Sequence, residues 1–175
     1  LKVSHIVRNG YMFAFVAVMG IGQTTRTVIS TLIARGEQAL ISTALRRLVV
    51  MNMLGAAILS HWMLFYPTPI SSLFFSESPD IALLNKTFFV VFPAIVSAGG
   101  VLVLLNAIEG SGKTRAGMLI EFGAITIYLA AVYYVTIAHP QPIHIIWMTD
   151  YIYFGAMGLM CGLYLRFSNW KYTII

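Results

Sequence analysis

The sequence predicts an all-α fold, a polytopic bundle of membrane-spanning helices. Three observations carry this. Of the 175 residues, 59% are hydrophobic and only 10% are charged, and the mean hydropathy is +0.84. A soluble domain carries about 25% charged residues, and a single globule of this size has too little interior to hide so much apolar surface. Five segments approach the roughly 20 mostly apolar residues that a helix needs to cross a hydrocarbon core. Glycine and proline punctuate the gaps between them.

The spans are predicted at residues 11–34, 48–66, 87–107, 116–138 and 143–167. The connections read "ARGEQ", "YPTPISSLFFSESPD", "EGSGKTR" and "AHPQPIH". Barrel strands are excluded, because they are short and alternate apolar with polar residues. The run "VVFPAIVSAGGVLVLLNAI" does not alternate. Pro93, near the start of the third span, is expected to kink it. Ala98, Gly99 and Gly100, and Gly158 with Gly162 in GxxxG spacing, predict close helix packing.

Basic residues set the orientation. One side carries Arg35, Arg46, Arg47, Lys113, Arg115, Arg166 and Lys171; the other carries Lys2, Arg8 and Lys86. Short loops rich in Lys and Arg stay in the cytoplasm. The chain is therefore expected in the cell (inner) membrane, with its C-terminus cytoplasmic. The net charge of +5 does not imply a nucleic-acid partner, since the basic residues are spread over the connections. The single cysteine, Cys161, excludes an internal disulfide and reads as packing. The chain opens on Leu1-Lys2 without a cleavable signal peptide, and is expected to be a fragment of something longer.

The octapeptide "AIEGSGKT", residues 107–114, fits a relaxed phosphate-binding loop pattern. Such a loop needs a buried strand before it and a helix N-terminus to receive phosphate. Here an apolar span leads in and another leads out. The expectation is a tight turn between membrane helices with no nucleotide partner, in which Gly110 and Gly112 supply backbone freedom. Lys113 and Arg115 face the anionic lipids of the cytoplasmic leaflet.

The same turn carries a resemblance. "LLNAIEGSGKTRAGMLIEFGAITIYLAAVYYV" resembles a landmark of the multidrug and toxic compound extrusion (MATE) transporters, a turn similar to "GALRGAGDTRTPMLI". Gly110, Gly112, Thr114, Arg115 and Met118 to Ile120 match in spacing. Glu109 stands where the family usually has Arg, and Lys113 where it often has Asp. A second stretch, "AVMGIGQTTRTVISTLIARGEQALISTALRR", is similar to the family's helix, glycine break and Arg-rich amphipathic segment. A third, "PISSLFFSESPDIALLNKTFFVVFPAI", is similar to its external loop and following helix. The resemblance implies helices eight to twelve of a twelve-helix, two-lobe transporter, with the N-terminal lobe as a missing partner. Some members carry a carboxylate in the third span; the aligned residue here is Ala98.

Charges inside lipid cost roughly 2.5–3.5 kcal/mol at mid-membrane on insertion scales, so each needs a reason. Gln23, Thr27, Ser30 and Thr31 share one face of the first span. That face either lines a watery cavity or bonds its own and neighbouring helices. Arg26 lies in the cytoplasmic half and is expected to snorkel. Glu121 is either a cation or proton site or the partner of a loop Lys or Arg such as Arg115. Asp150, beside Tyr151 and Tyr153, is expected to face headgroups, with Trp147 in the aromatic belt. Asn52 and Asn106 are expected to hydrogen-bond between helices, and His61 to be interfacial. The pathway candidates are thus Gln23, Arg26, Thr27, Ser30 and Glu121.

No Ser/His/Asp set, metal spacing or paired carboxylates point to catalysis, so the chain is expected not to be an enzyme and to need no cofactor. The resemblance implies efflux of drugs or other small organic, often cationic, compounds by antiport coupled to sodium or protons, with alternating access and membrane lipids as surroundings. Two alternatives stand beside it. One is a lipid-linked saccharide flippase of the related superfamily. The other is a non-transporting membrane subunit of a larger complex.

Overall fold

The computed structural model describes residues 2–67 and 80–170, with side chains from Val3 onward. All regular structure among the described residues is helical. Helix α1 spans Lys2–Ala34, α2 Gln38–Ser60 and the short α3 Trp62–Phe65. Helix α4 spans Ile81–Gly110 and α5 Thr114–Tyr133, which continues into a π-helical turn over Tyr134–Ala138. A short α6, Ile143–Ile146, precedes α7, Thr149–Phe167.

Helix α4 is the axis of the bundle. Helices α1, α2, α5 and α7 all pack against it. It is apolar all round, which is the pattern of a helix enclosed by others. Half of its most apolar window is buried (50%), against 11% for the α5 span, so α5 presents most of its surface outward. One cluster joins Ile6, Val7 and Val18 of α1 to Leu84, Phe88, Val91 and Ile95 of α4. A second joins Leu105 and Ile108 of α4 to Ile120 and Ala124 of α5 and to Met157 and Cys161 of α7. Cys161 is fully enclosed there, as a small hydrophobe. Large apolar side chains such as Phe13, Val16, Leu119 and Phe122 point outward. Against acyl chains this exposure carries no hydrophobic penalty. The chain is a multi-pass membrane protein.

Both glycine turns have the same local cause. Gly36 (φ 72°) and Gly112 (φ 81°) adopt the left-handed conformation that ends a helix. Gly36 N–H bonds Ile33 O and Glu37 N–H bonds Leu32 O, at 3.0 and 2.9 Å. Gly112 N–H bonds Glu109 O and Lys113 N–H bonds Ile108 O, at 3.0 and 3.3 Å. This paired pattern satisfies the last carbonyls of α1 and α4 and reverses the chain within a few residues.

The structure differs from the expected spans in several places. Helices begin earlier than the apolar runs: α1 at Lys2 rather than residue 11, α2 at Gln38 rather than 48, and α4 at Ile81 rather than 87. Apolar content marks where lipid contact begins, whereas a helix starts where its backbone ladder closes, with or without a side-chain cap: α2 starts after Glu37, whose side chain caps nothing. Asp80 caps α4, its carboxylate accepting Leu83 N–H at 3.1 Å. The fifth span is not continuous. Helix α6 stops after four residues, Trp147 and Met148 form a turn, and α7 starts afresh at Thr149. Among the described residues, four helical spans have the length and apolarity to cross a membrane: Val3–Ala34, Gln38–Phe65, Ile81–Gly110 and Thr114–Ala138. Helix α7 is a fifth long helix in the same bundle but does not join that set. Pro93 does not interrupt α4. Gly162 has open space around it, so of the GxxxG pair only Gly158 is a packing contact, against Val101. Residues 68–79, most of the connection before α4, and Lys171 lie outside the described residues.

Candidate functional site

The site is built where α1 crosses α4. Near the middle of the crossing, the Asn52 side-chain amide on α2 donates to Val18 O of α1 at 3.1 Å and to Gly99 O of α4 at 2.9 Å. A Cβ on Gly99 would lie 3.1 Å from the Asn52 carbonyl, so the missing side chain is what lets α2 and α4 come this close. At the turn end, Gly110 meets α1 more closely still. A Cβ there would stand 2.6 Å from the Arg26 carbonyl oxygen and 2.8 Å from its Cα. Both neighbours are backbone atoms and neither can swing away.

This contact brings Arg26 beside the last turn of α4, where its guanidinium forms an ion pair with Glu109. Glu109 is mostly enclosed, at 15% side-chain exposure, while Arg26 keeps 54%. Gly117, in the first turn of α5, gives Glu109 its room: a Cβ there would fall 2.6 Å from Glu109 Cγ. The pair opens onto a cavity of about 110 Å³ whose wall includes Met19, Gln23, Leu102, Asn106 and Glu121. Its lining holds one arginine and two glutamates. With Arg26 engaged by Glu109, Glu121 is left as an exposed carboxylate with no ion-pair partner among the described residues. A cation is the species such a surplus attracts.

Three of the five predicted pathway residues, Gln23, Arg26 and Glu121, share this cavity. Thr27 and Ser30 do not line it. Thr27 faces outward, and the Ser30 hydroxyl donates to the Thr27 carbonyl at 3.1 Å. Thr24 and Thr25 likewise bond their own helix, to Gly20 O and Ile21 O. Arg26 pairs across helices, where snorkelling was expected, and no pair between Glu121 and Arg115 forms. Asn52 bridges helices as expected. Asn106 differs: its amide donates to Leu102 O of its own helix at 2.7 Å, and its buried carbonyl oxygen has no partner. Glu109 is the residue that sequence reasoning passed over as a charge swap in a turn. The signal was present: an acid at a position where Arg is usual, with one unexplained Arg in a preceding span.

Asp150 is also relocated. It does not face headgroups; it is 8% exposed and lies among aromatic rings between α1, α5 and α7. His61, by contrast, is exposed at the junction of α2 and α3.

The stretch at residues 107–114 is a helix-ending turn. The amides of Ser111, Gly112 and Lys113 all donate to α4 carbonyls. A phosphate cradle needs such amides aimed at the ligand. Neither the curated proteins nor the solved structures give a match. The family described as MatE matches residues 3–135, which takes in α1 to α5 and both glycine turns. The chain belongs to this family of membrane transporters.

Proposed function

We propose that the chain forms part of an exporter of small organic compounds driven by cation antiport. Family membership supplies the transporter. The observation that carries the finer reading is the charge balance at the turn end of α1, α4 and α5. One arginine neutralises one glutamate, and Glu121 remains over in the same small cavity. A surplus carboxylate that binds a proton or sodium on one side of the membrane and loses it on the other is the minimum an antiporter needs. The basic residues gathered at the same end, Arg35, Arg46, Arg47, Lys113 and Arg115, support a cytoplasmic location for it. A second lobe is required to complete alternating access. The flippase reading needs free cationic groups for pyrophosphate, and Arg26 is already engaged by Glu109.

The test is dye efflux by the complete protein in efflux-deficient cells or inverted vesicles, with proton and sodium gradients imposed separately. Export should follow one of the two gradients. Glu121→Gln should lose that dependence, and Glu121→Asp should retain most of it. Efflux that needs neither gradient overturns the antiport reading.

A further inference from the structure

The outer face of α2 carries two arginines at the edge of its apolar run. Arg46 and Arg47 directly precede residue 48, where that run begins. Both are exposed, and neither has an ion pair or hydrogen bond among the described residues. Arg26, by contrast, is engaged by Glu109, and Arg166 lies over the Phe167 ring at 5.6 Å. Thr43, Arg46, Arg47 and Val50 recur at i, i+3, i+4 and i+7, which is one helix face, and with Met51 they line a groove of about 480 Å³. A second groove, of about 370 Å³, shares Arg46 and Val50 with the first and runs along their other side. Its walls are Leu45 and Val49 of α2, Leu104 of α4, Leu165 of α7, and Trp170. Trp170 is fixed there: its indole N–H donates to Leu165 O at 2.9 Å, and its ring packs with Ile29, Ile33, Ile41 and Ala107. No acid lines either groove among the described residues.

We propose that these two grooves hold one anionic phospholipid, its phosphate on Arg46 and Arg47 and one acyl chain in each groove. Charge selects the headgroup. Two adjacent guanidiniums without an acid beside them attract an anion, and their forked donors match phosphate oxygens. Basic residues at the membrane surface favour anionic lipid in this way. Depth selects a lipid over a free anion. Val50 lies one turn beyond Arg46, about 6 Å along the axis, so each groove turns from cationic to apolar as it enters the span. A soluble phosphate would leave those apolar walls uncovered. The shared ridge selects two chains. Arg46 and Val50 separate the grooves, so a single headgroup on Arg46 stands over both. A lipid seated in this way lies against α2, α4 and α7 together and against the Trp170 anchor that closes the second groove. The site does not rest on the antiport reading, since binding here needs no ion gradient.

The experiment titrates the complete purified protein, in detergent, with phosphatidylglycerol carrying brominated acyl chains, which quench tryptophan on contact. Trp170→Phe identifies the share of the quenching that comes from Trp170. Phosphatidylglycerol should quench Trp170 at a concentration about tenfold or more below that of brominated phosphatidylcholine. Arg46→Gln and Arg47→Gln should each weaken phosphatidylglycerol about fivefold and leave phosphatidylcholine unchanged, which shows that the variants are folded. Lys113→Gln, at the same end of the bundle but outside both grooves, should keep the parent's preference. The single-chain lyso form should bind several-fold more weakly, and inorganic phosphate should not displace the lipid. Four results overturn the proposal. They are equal quenching by the two lipids in the parent, as when another lobe or a second copy covers the grooves; arginine variants that keep the preference, or a Lys113→Gln variant that loses as much of it; a lyso form that binds as well as the two-chain lipid; and displacement by inorganic phosphate, which would make this a site for the free anion.

Discussion

Arg26 and Glu109 lie 83 residues apart in the chain and meet as an ion pair at the end of the α1–α4 crossing. The meeting depends on Gly110, whose missing side chain lets the two backbones touch. Losing Arg26 strands a mostly enclosed carboxylate, but the half-exposed arginine limits what the pair is worth. Arg26→Ala is expected to destabilise the protein by about 1–2 kcal/mol, between the values for surface and buried pairs. The exchange Arg26→Glu with Glu109→Arg should recover part of that loss. Thermal unfolding in detergent measures both, as a double-mutant cycle.

Glycines separate into those that permit contact and those that do not. Gly110→Ala should cost about 2–3 kcal/mol, because the added Cβ meets immovable backbone and must push α1 from α4. Gly112→Ala should cost about 1–2 kcal/mol through its left-handed backbone alone. Gly162→Ala, with nothing within 4 Å, should be neutral or stabilise by up to about 1 kcal/mol. Comparing the three melting temperatures checks the ranking, and a Gly162 variant as damaging as Gly110→Ala would contradict it.

Asn52 of α2 ties three helices together through Val18 of α1 and Gly99 of α4. Replacing it with leucine removes donors to Val18 O and Gly99 O. Interhelical bonds in membranes average about 0.6 kcal/mol with a maximum near 1.7, so the pair should be worth about 1–3 kcal/mol. Hydrogen exchange at the middle of α1 should quicken in Asn52→Leu, while the far end of α5 should stay unchanged.

The turn at 107–114 makes a sharp negative prediction. Lys113→Ala removes the lysine that a phosphate loop depends on, yet the amides around it are spent on α4 carbonyls. Its stability should shift by no more than about 0.5 kcal/mol, as for other surface substitutions. Neither parent nor variant should be stabilised by ATP with magnesium. A rise in melting temperature with nucleotide in the parent, lost in Lys113→Ala, would restore the nucleotide reading.

Much of the fold is written locally. Apolar runs long enough for lipid specify the spans, and Gly36 and Gly112 specify where α1 and α4 stop, because only local backbone chemistry is involved. The landmarks around those turns were likewise enough to place the chain in its family. Helix starts are less legible, since the helical backbone runs on past the apolar residues, with a capping side chain at α4 and none at α2. The break before α7 was missed because "IHIIWMTDYIYF" is apolar enough to look continuous.

The site was only half legible, for a physical reason. Gln23, Arg26 and Glu121 stand out because charged and polar groups in lipid are rare and costly. Whether two such groups meet depends on which helices cross and how closely. That is settled by packing at Gly99, Gly110 and Gly117, contacts between residues far apart in the chain. So the sequence alone determined that this is a bundle of membrane helices with a few polar residues to explain. Tertiary packing decided that Arg26 is matched to Glu109, that Glu121 is left over, and that Asp150 is enclosed by aromatic rings instead of facing headgroups.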